Sequence, residues 1–225
     1  MANNGMDHLV FGVSDLQHGI DLIEQRTGVR ARFGGRHQGR GTHNALMGLG
    51  ERQYLEIIAP DPEQAGTLPT MFPHLANLTE PQFIAWAVAV DDIEAIASKA
   101  RAAHYQLREP VNGSRMRPDG KMLTWRSLVI AAPVIPLVPF FIQWGKDTPH
   151  PSQDAPPGCK LTSLAIEHPE ADRIQHAADP WGRREGRAGR APAFESATAN
   201  TRRYGRDQLI LPRSSWRCTS PPELH

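Results

Sequence analysis

Residues 7–28 read DHLVFGVSDLQHGIDLIEQRTG, and this stretch decides the fold. Its first seven residues make a short apolar strand in which Leu9, Phe11 and Val13 point one way and His8, Val10 and Gly12 the other. Ser14, three residues before Gln17, fits a capping box. Leu16, Ile20 and Ile23 then form the apolar stripe of a helix, and Gly28 suits its C-terminal cap. Two more strands are expected, over 42–49 and 53–59. The same order of elements returns roughly 80 residues later, as a pseudo-symmetric repeat would require. FIAWAVAV (83–90) is a strand. DDIEAIASKARAAHY follows as a helix capped by Asp91, with Ile93, Ile96 and Ala100 facing inward. KMLTWRSLVI (121–130) and PFFIQWG (139–145) close the repeat. VSDLQHGI aligns with VDDIEAIA, and YLEII with FIQWG.

With 225 residues, 40% of them hydrophobic and 22% charged, the chain can bury a sizeable core. A net charge of +1 gives no reason to expect nucleic acid or a membrane as partner. Two cysteines, Cys159 and Cys218, make no disulfide framework, and with no leader-like segment the expected compartment is the cytoplasm. The sequons at Asn77 and Asn112 then carry no glycan. LVIAAPVIPLVPFFIQW (128–144) is short for a membrane span and holds three prolines, so it reads as buried extended chain entering a strand. The dinucleotide, P-loop and nucleophile-elbow signatures are missing.

DHLVFGVSDL, GGRHQGRGTHNALMGLGERQYLEIIAPDP and PFFIQWG together resemble the glyoxalase-like domain proteins of the vicinal oxygen chelate superfamily, over roughly residues 6–175. The resemblance implies an α+β protein in which paired βαβββ modules form a cupped mixed sheet. It places the modules at about 6–62 and 83–146, within a domain of residues 6–150. Residues 159–175 would start a truncated third βα unit. The tail, 176–225, has nine arginines and no lysine and almost no apolar periodicity. It is expected to be disordered, as a basic arm with a partner or as text altered by a reading-frame change.

The resemblance implies a small-molecule ligand in the cup, and in many members a divalent metal (Zn, Mn, Fe or Ni); it also admits a homodimer. His8 and Glu56 match the ligand positions of the first and last strands of module one. The matching positions of module two hold Ala85 and Gln143, so His8 and Glu56 are an incomplete metal set or, alternatively, the acid and base of a metal-free site. Guanidinium groups match carboxylate or phosphate. Arg36, Arg40 and Arg126 are therefore candidates to hold an anion, with His43, Asn44, Trp125 and Gln143 as further substrate contacts. Strand alternation puts His43 and Asn44 on opposite faces without choosing between them. Arg115 and Arg117 repeat the basic entry in module two, and Trp86, Trp125 and Trp144 offer an apolar wall. The functions left open are a lyase, isomerase or dioxygenase-like enzyme on a small anionic substrate, a metal-free sequestering protein, and an inactive product with an aberrant C-terminus.

Overall fold

The computed structural model describes residues 5–69, 71–131, 138–165 and 213–218. Strand β1 (Gly5–Gly12) leads into helix α1 (Leu16–Thr27), then β2 (Arg32–His37), β3 (Thr42–Gly50) and β4 (Gln53–Pro60). The order repeats as β5 (Gln82–Ala89), α2 (Ile93–Ala102), β6 (Val111–Met116), β7 (Met122–Leu128) and β8 (Phe140–Trp144). Two strands follow, β9 (Cys159–Ala165) and β10 (Arg213–Cys218).

Each module is thus βαβββ, with its first strand parallel to its last and the other neighbours antiparallel. The modules join along two edges. β1 pairs antiparallel with β5 from Gly5 opposite Ala89 to Gly12 opposite Gln82, and β2 meets β6 where Arg36 faces Met116. The expected cup is therefore closed as an eight-stranded barrel.

The repeat reads well because its helices obey local rules. Gly28, at φ 72°, ends α1, and Leu16, Ile20 and Ile23 are buried against Leu9, Phe11, Leu55 and Ile57. Both N-caps fall one residue later than expected. Asp15 accepts from His18 N, and Asp92 from Glu94 N and Ala95 N, because a carboxylate at that position reaches the first free N–H groups of the helix.

β2 and β6 were not legible as strands. RFGGRH and VNGSRM carry few apolar residues because they form the seam between modules. At Gly35, φ is +135° and an added Cβ would stand 2.2 Å from Met116 O. Only glycine allows the two backbones to approach so closely.

The chain's end adds one further strand pair. Arg213–Cys218, within the segment expected to be disordered, is a strand paired with β9, and Cys159 is joined to Cys218 by a disulfide. The rest of the tail, the helix of the third unit and residues 132–137 of the apolar run lie outside the described residues. β9 adds Cys159, Leu161 and Leu164 to the outer core of module one. Among the described residues no helix is long and apolar enough to cross a membrane.

Candidate functional site

The inner faces of the strands converge on a cavity of about 60 Å³. Tyr54, Glu56 and Ile58 line it from β4, and Phe140, Ile142 and Trp144 from β8. His8 comes from β1, His37 from β2, Asn44 from β3, Arg115 from β6 and Trp125 from β7. Arg40 reaches in from the β2–β3 turn, and Met71 and Phe72 cover it from the linker between modules.

Glu56 is the hub of this site. Asn44 Nδ2 donates to its Oε1 at 2.6 Å, His8 Nε2 stands 3.6 Å from its Oε2, and His37 Nε2 stands 3.7 Å from its Oε1. All four residues are buried. His8 stacks on the Tyr54 ring and is held from behind by Asp7, whose Oδ1 lies 2.6 Å from His8 Nδ1. Asp7 Oδ2 accepts from Trp144 Nε1 at 3.0 Å and lies 2.9 Å from His150 Nε2. Burial alone would push the Asp7 carboxyl up, but the hydrogen bonds with His150 and His8 outweigh it and hold the group well below the usual carboxylate range. Because Asp7 is an acceptor, the His8 proton is fixed on Nδ1 and Nε2 is turned toward Glu56. Strand alternation would have aimed Asp7 away from His8. The β1–β5 register shifts between Met6 and His8, and that bulge turns the carboxylate back.

His37 is pushed down to about 4 by burial, with Glu56 pulling the other way and Arg115 and Arg40 adding to the fall. It is therefore a neutral imidazole at pH 7, bonded through Nδ1 to Thr42 Oγ1 at 2.8 Å.

Two arginines reach the cavity wall. Arg115 is 3% exposed and donates to Gly34 O, and Arg40 donates to Asn112 O. Among the described residues no carboxylate lies within ion-pair distance of either.

Of the residues expected at the site, His8, Glu56, Arg40, Asn44 and Trp125 share the cavity. Asn44, rather than His43, is the inward member of its pair. His43 faces outward, 3.9 Å from Asp61 Oδ1. Arg36 is outward too, paired with Asp61 and Glu63, and Arg126 pairs with Glu94 at 2.6 Å. Gln143 also points away, accepting from Ile93 N at 3.1 Å and donating to Asp91 O at 2.8 Å, so that it caps α2. Pairing YLEII with FIQWG was three residues out of step, and an odd slip flips every side chain. The inward counterparts of Glu56 and Ile58 are Phe140 and Ile142. Trp125 and Trp144 are wall residues, whereas Trp86 sits in the outer core.

Sequence reasoning missed Asp7, His37 and His150, and passed over Arg115 as a binder. A repeat-based reading had the faces of six strands to work with, and His37 and Arg115 lie on the two strands that it lacked.

The metal pattern of the family does not fit these residues. Ala85, Ala87, Phe140, Ile142 and Trp144 give module two no donor at the inward positions, and among the described residues no group of three or more His, Cys, Asp and Glu is arranged to hold a metal ion. The Asn44 amide, whose Nδ2 is 2.6 Å from Glu56 Oε1 and 3.4 Å from His37 Nε2, already occupies the flank of the pair that Glu56 and His37 make.

A glyoxalase-like domain family model matches residues 6–182. No curated relative matches the sequence. Similar solved structures include a hypothetical protein from Staphylococcus aureus, 18% identical with a TM-score of 0.63, covering 78% of this chain and 74% of that one. A methylmalonyl-CoA epimerase from Mycobacterium tuberculosis is 19% identical at a TM-score of 0.45 (62% and 87% covered). A hypothetical protein from Bacillus halodurans is 16% identical at 0.46 (65% and 96%). Identity this low speaks to fold and not to chemistry.

Proposed function

The chain belongs to the glyoxalase-like domain family, and from that premise we propose that it is an acid–base enzyme acting on a small anionic organic molecule held in the barrel cavity. One observation carries the reading. A buried carboxylate, Glu56, and a buried imidazole oriented by its own carboxylate, His8, face each other across 3.6 Å at the cavity wall. Packing alone has no use for such an arrangement, since burying ionisable groups is costly unless each is bonded.

In this reading Glu56 takes a proton from a substrate C–H bond adjacent to a carbonyl. The electron pair left behind passes into that carbonyl, and return of the proton to carbon or oxygen completes an isomerisation. His8, its Nδ1 proton anchored on Asp7, presents Nε2 to Glu56 and shares the proton at Oε2. Asn44 fixes the Glu56 rotamer through Oε1, leaving Oε2 for the substrate. Trp125, Phe140 and Trp144 keep bulk water away, which strengthens each of these contacts. Proton transfer by a positioned group contributes on the order of 10²–10⁴ in rate.

The test needs no prior substrate. The full chain is incubated in D₂O with a panel of small 2-oxo and 2-hydroxy acids, and loss of the C–H signal is followed by proton NMR. The expected result is exchange into at least one acid by the wild type, and its loss in Glu56→Gln. Equal exchange by both proteins, or binding of panel acids with no exchange, defeats the proposal. The second outcome would leave a sequestering protein.

A further inference from the structure

We propose that Arg115, Arg40 and Asn44 form a subsite for a small 2-hydroxycarboxylate, a ligand carrying one negative charge with a hydroxyl beside it. The inference rests on the reading of this cavity as the substrate site and gives that substrate a class.

The first ground is charge. A buried guanidinium without a carboxylate is costly, and proteins rarely keep one that has no ligand to bind. Arg115 is buried at the wall, and its bond to Gly34 O uses only part of a fork with five N–H donors. Arg40, tethered to Asn112 O, turns toward the same cavity. Both cations border the same cavity as His37 and Glu56. Asp7 has its own partners in His8, His150 and Trp144. Neither guanidinium has a carboxylate within ion-pair distance among the described residues, so an anionic group in the cavity would meet unused donors on both. A carboxylate meets this condition.

The second ground is an orphaned acceptor. Asn44 Oδ1 is buried and has no hydrogen-bond partner, although Nδ2 of the same amide is committed to Glu56. A buried acceptor left unpaired calls for a donor. The amide cannot be turned around, because its oxygen would then meet the Glu56 carboxylate. A carboxylate alone would worsen the position of Oδ1, and a neighbouring hydroxyl would satisfy it.

The third ground is that the space is built. At Gly34 an added Cβ would lie 2.5 Å from Asn44 Oδ1 and 2.6 Å from Arg115 Nη1, so only a glycine there lets both groups pack against the β2 backbone and keep their places at the cavity. The cavity of about 60 Å³ suits an acid of two or three carbons.

The full chain is titrated with glycolate, acetate, glycolamide and phosphate at constant ionic strength, and binding is read by calorimetry. Glycolate should bind at least tenfold tighter than glycolamide, and tighter than acetate or phosphate. Arg115→Gln and Gly34→Ala should each weaken glycolate at least tenfold, and Arg40→Gln severalfold. Glu56→Gln should retain glycolate binding, so loss of proton exchange in that variant and loss of binding in the arginine variants are separate readouts. If Arg115→Gln does not fold, Gly34→Ala and Arg40→Gln decide the matter, since their changes meet flexible side-chain ends or the cavity rim. The inference is overturned if glycolate does not bind the wild type, if glycolamide, acetate or phosphate binds as well as glycolate, or if the folded variants bind glycolate like the wild type.

Discussion

Replacing Asp7 with asparagine removes one charge from the middle of the barrel while keeping the shape of the side chain. Asp7 accepts from three sides: His8 Nδ1 at 2.6 Å, His150 Nε2 at 2.9 Å and Trp144 Nε1 at 3.0 Å. An amide has one acceptor oxygen, and its NH₂ would face a ring N–H that needs an acceptor. A hydrogen bond to a charged group is worth about 1.5–3 kcal/mol and a stranded buried donor costs about 1–3 kcal/mol, so a net loss of about 3 kcal/mol is expected. For a chain of this size that lowers Tm by roughly 6–12 °C. The pH dependence supplies the sharper check. A carboxylate whose folded value is depressed contributes its stability fully above the unfolded value of 3.8, and loses it as pH falls below that. The gap between wild type and Asp7→Asn, followed by thermal melts, should therefore be full at pH 7 and shrink below pH 4. With the His8 proton no longer pinned to Nδ1, exchange in D₂O should also fall, on the order of a hundredfold. A variant that melts within a degree of wild type at pH 7, or a gap that stays constant down to pH 2, would refute the account of Asp7 as a charged anchor.

Gly35→Ala would place a Cβ 2.2 Å from Met116 O at a φ of +135°, and should cost at least 2 kcal/mol or so by near-UV circular dichroism melts. His37, pushed down to about 4, contributes stability that is whole above its ordinary 6.5 and drains as pH falls toward 4. The nitrogen shifts of its imidazole should stay those of a neutral ring until near pH 4, and His37→Gln should flatten the stability profile across that window. Arg126 pairs with Glu94 on the surface, so Arg126→Ala should leave glycolate binding within twofold and change stability by less than about 1 kcal/mol.

What the sequence made legible was whatever follows local periodicity. Leu16, Ile20, Ile23 and Gly28 announce α1, and its echo at Ile93, Ile96 and Ala100 announces α2, because helix stripes and caps are local properties. Alternation on β1 and β4 put His8 and Glu56 on one inward face, and they do meet there. It could not choose between His43 and Asn44, since both faces of β3 are buried. The seam strands escaped notice because a glycine-rich edge where two backbones nearly touch has no apolar pattern to read. Asp7 escaped because a bulge overturns the alternation on which the reading relied. Gln143 was misplaced by an odd slip of register, and its role, capping α2, is invisible until the sheet is paired.

The duplication explains why the site is lopsided. Module one supplies Asp7, His8, His37, Asn44 and Glu56, nearly all of the proton-handling groups. Module two answers from the matching strands with Ala87, Phe140, Ile142 and Trp144, a wall that dries the cavity. Its one charged contribution, Arg115, comes from β6 and crosses the seam to Gly34 on β2. The anion contact therefore exists only when the modules have closed on each other, at the edge where the ladder is shortest, Arg36 opposite Met116. A ligand bridging Arg115 to Asn44 and Glu56 would tie β6 to β3 and β4 across that thin join. By mass action it should hold the barrel shut. Saturating glycolate ought then to raise Tm more in Gly35→Ala than in wild type if the variant's deficit is an opened seam that ligand must close. An equal rise in both would mean that the seam and the site are energetically independent.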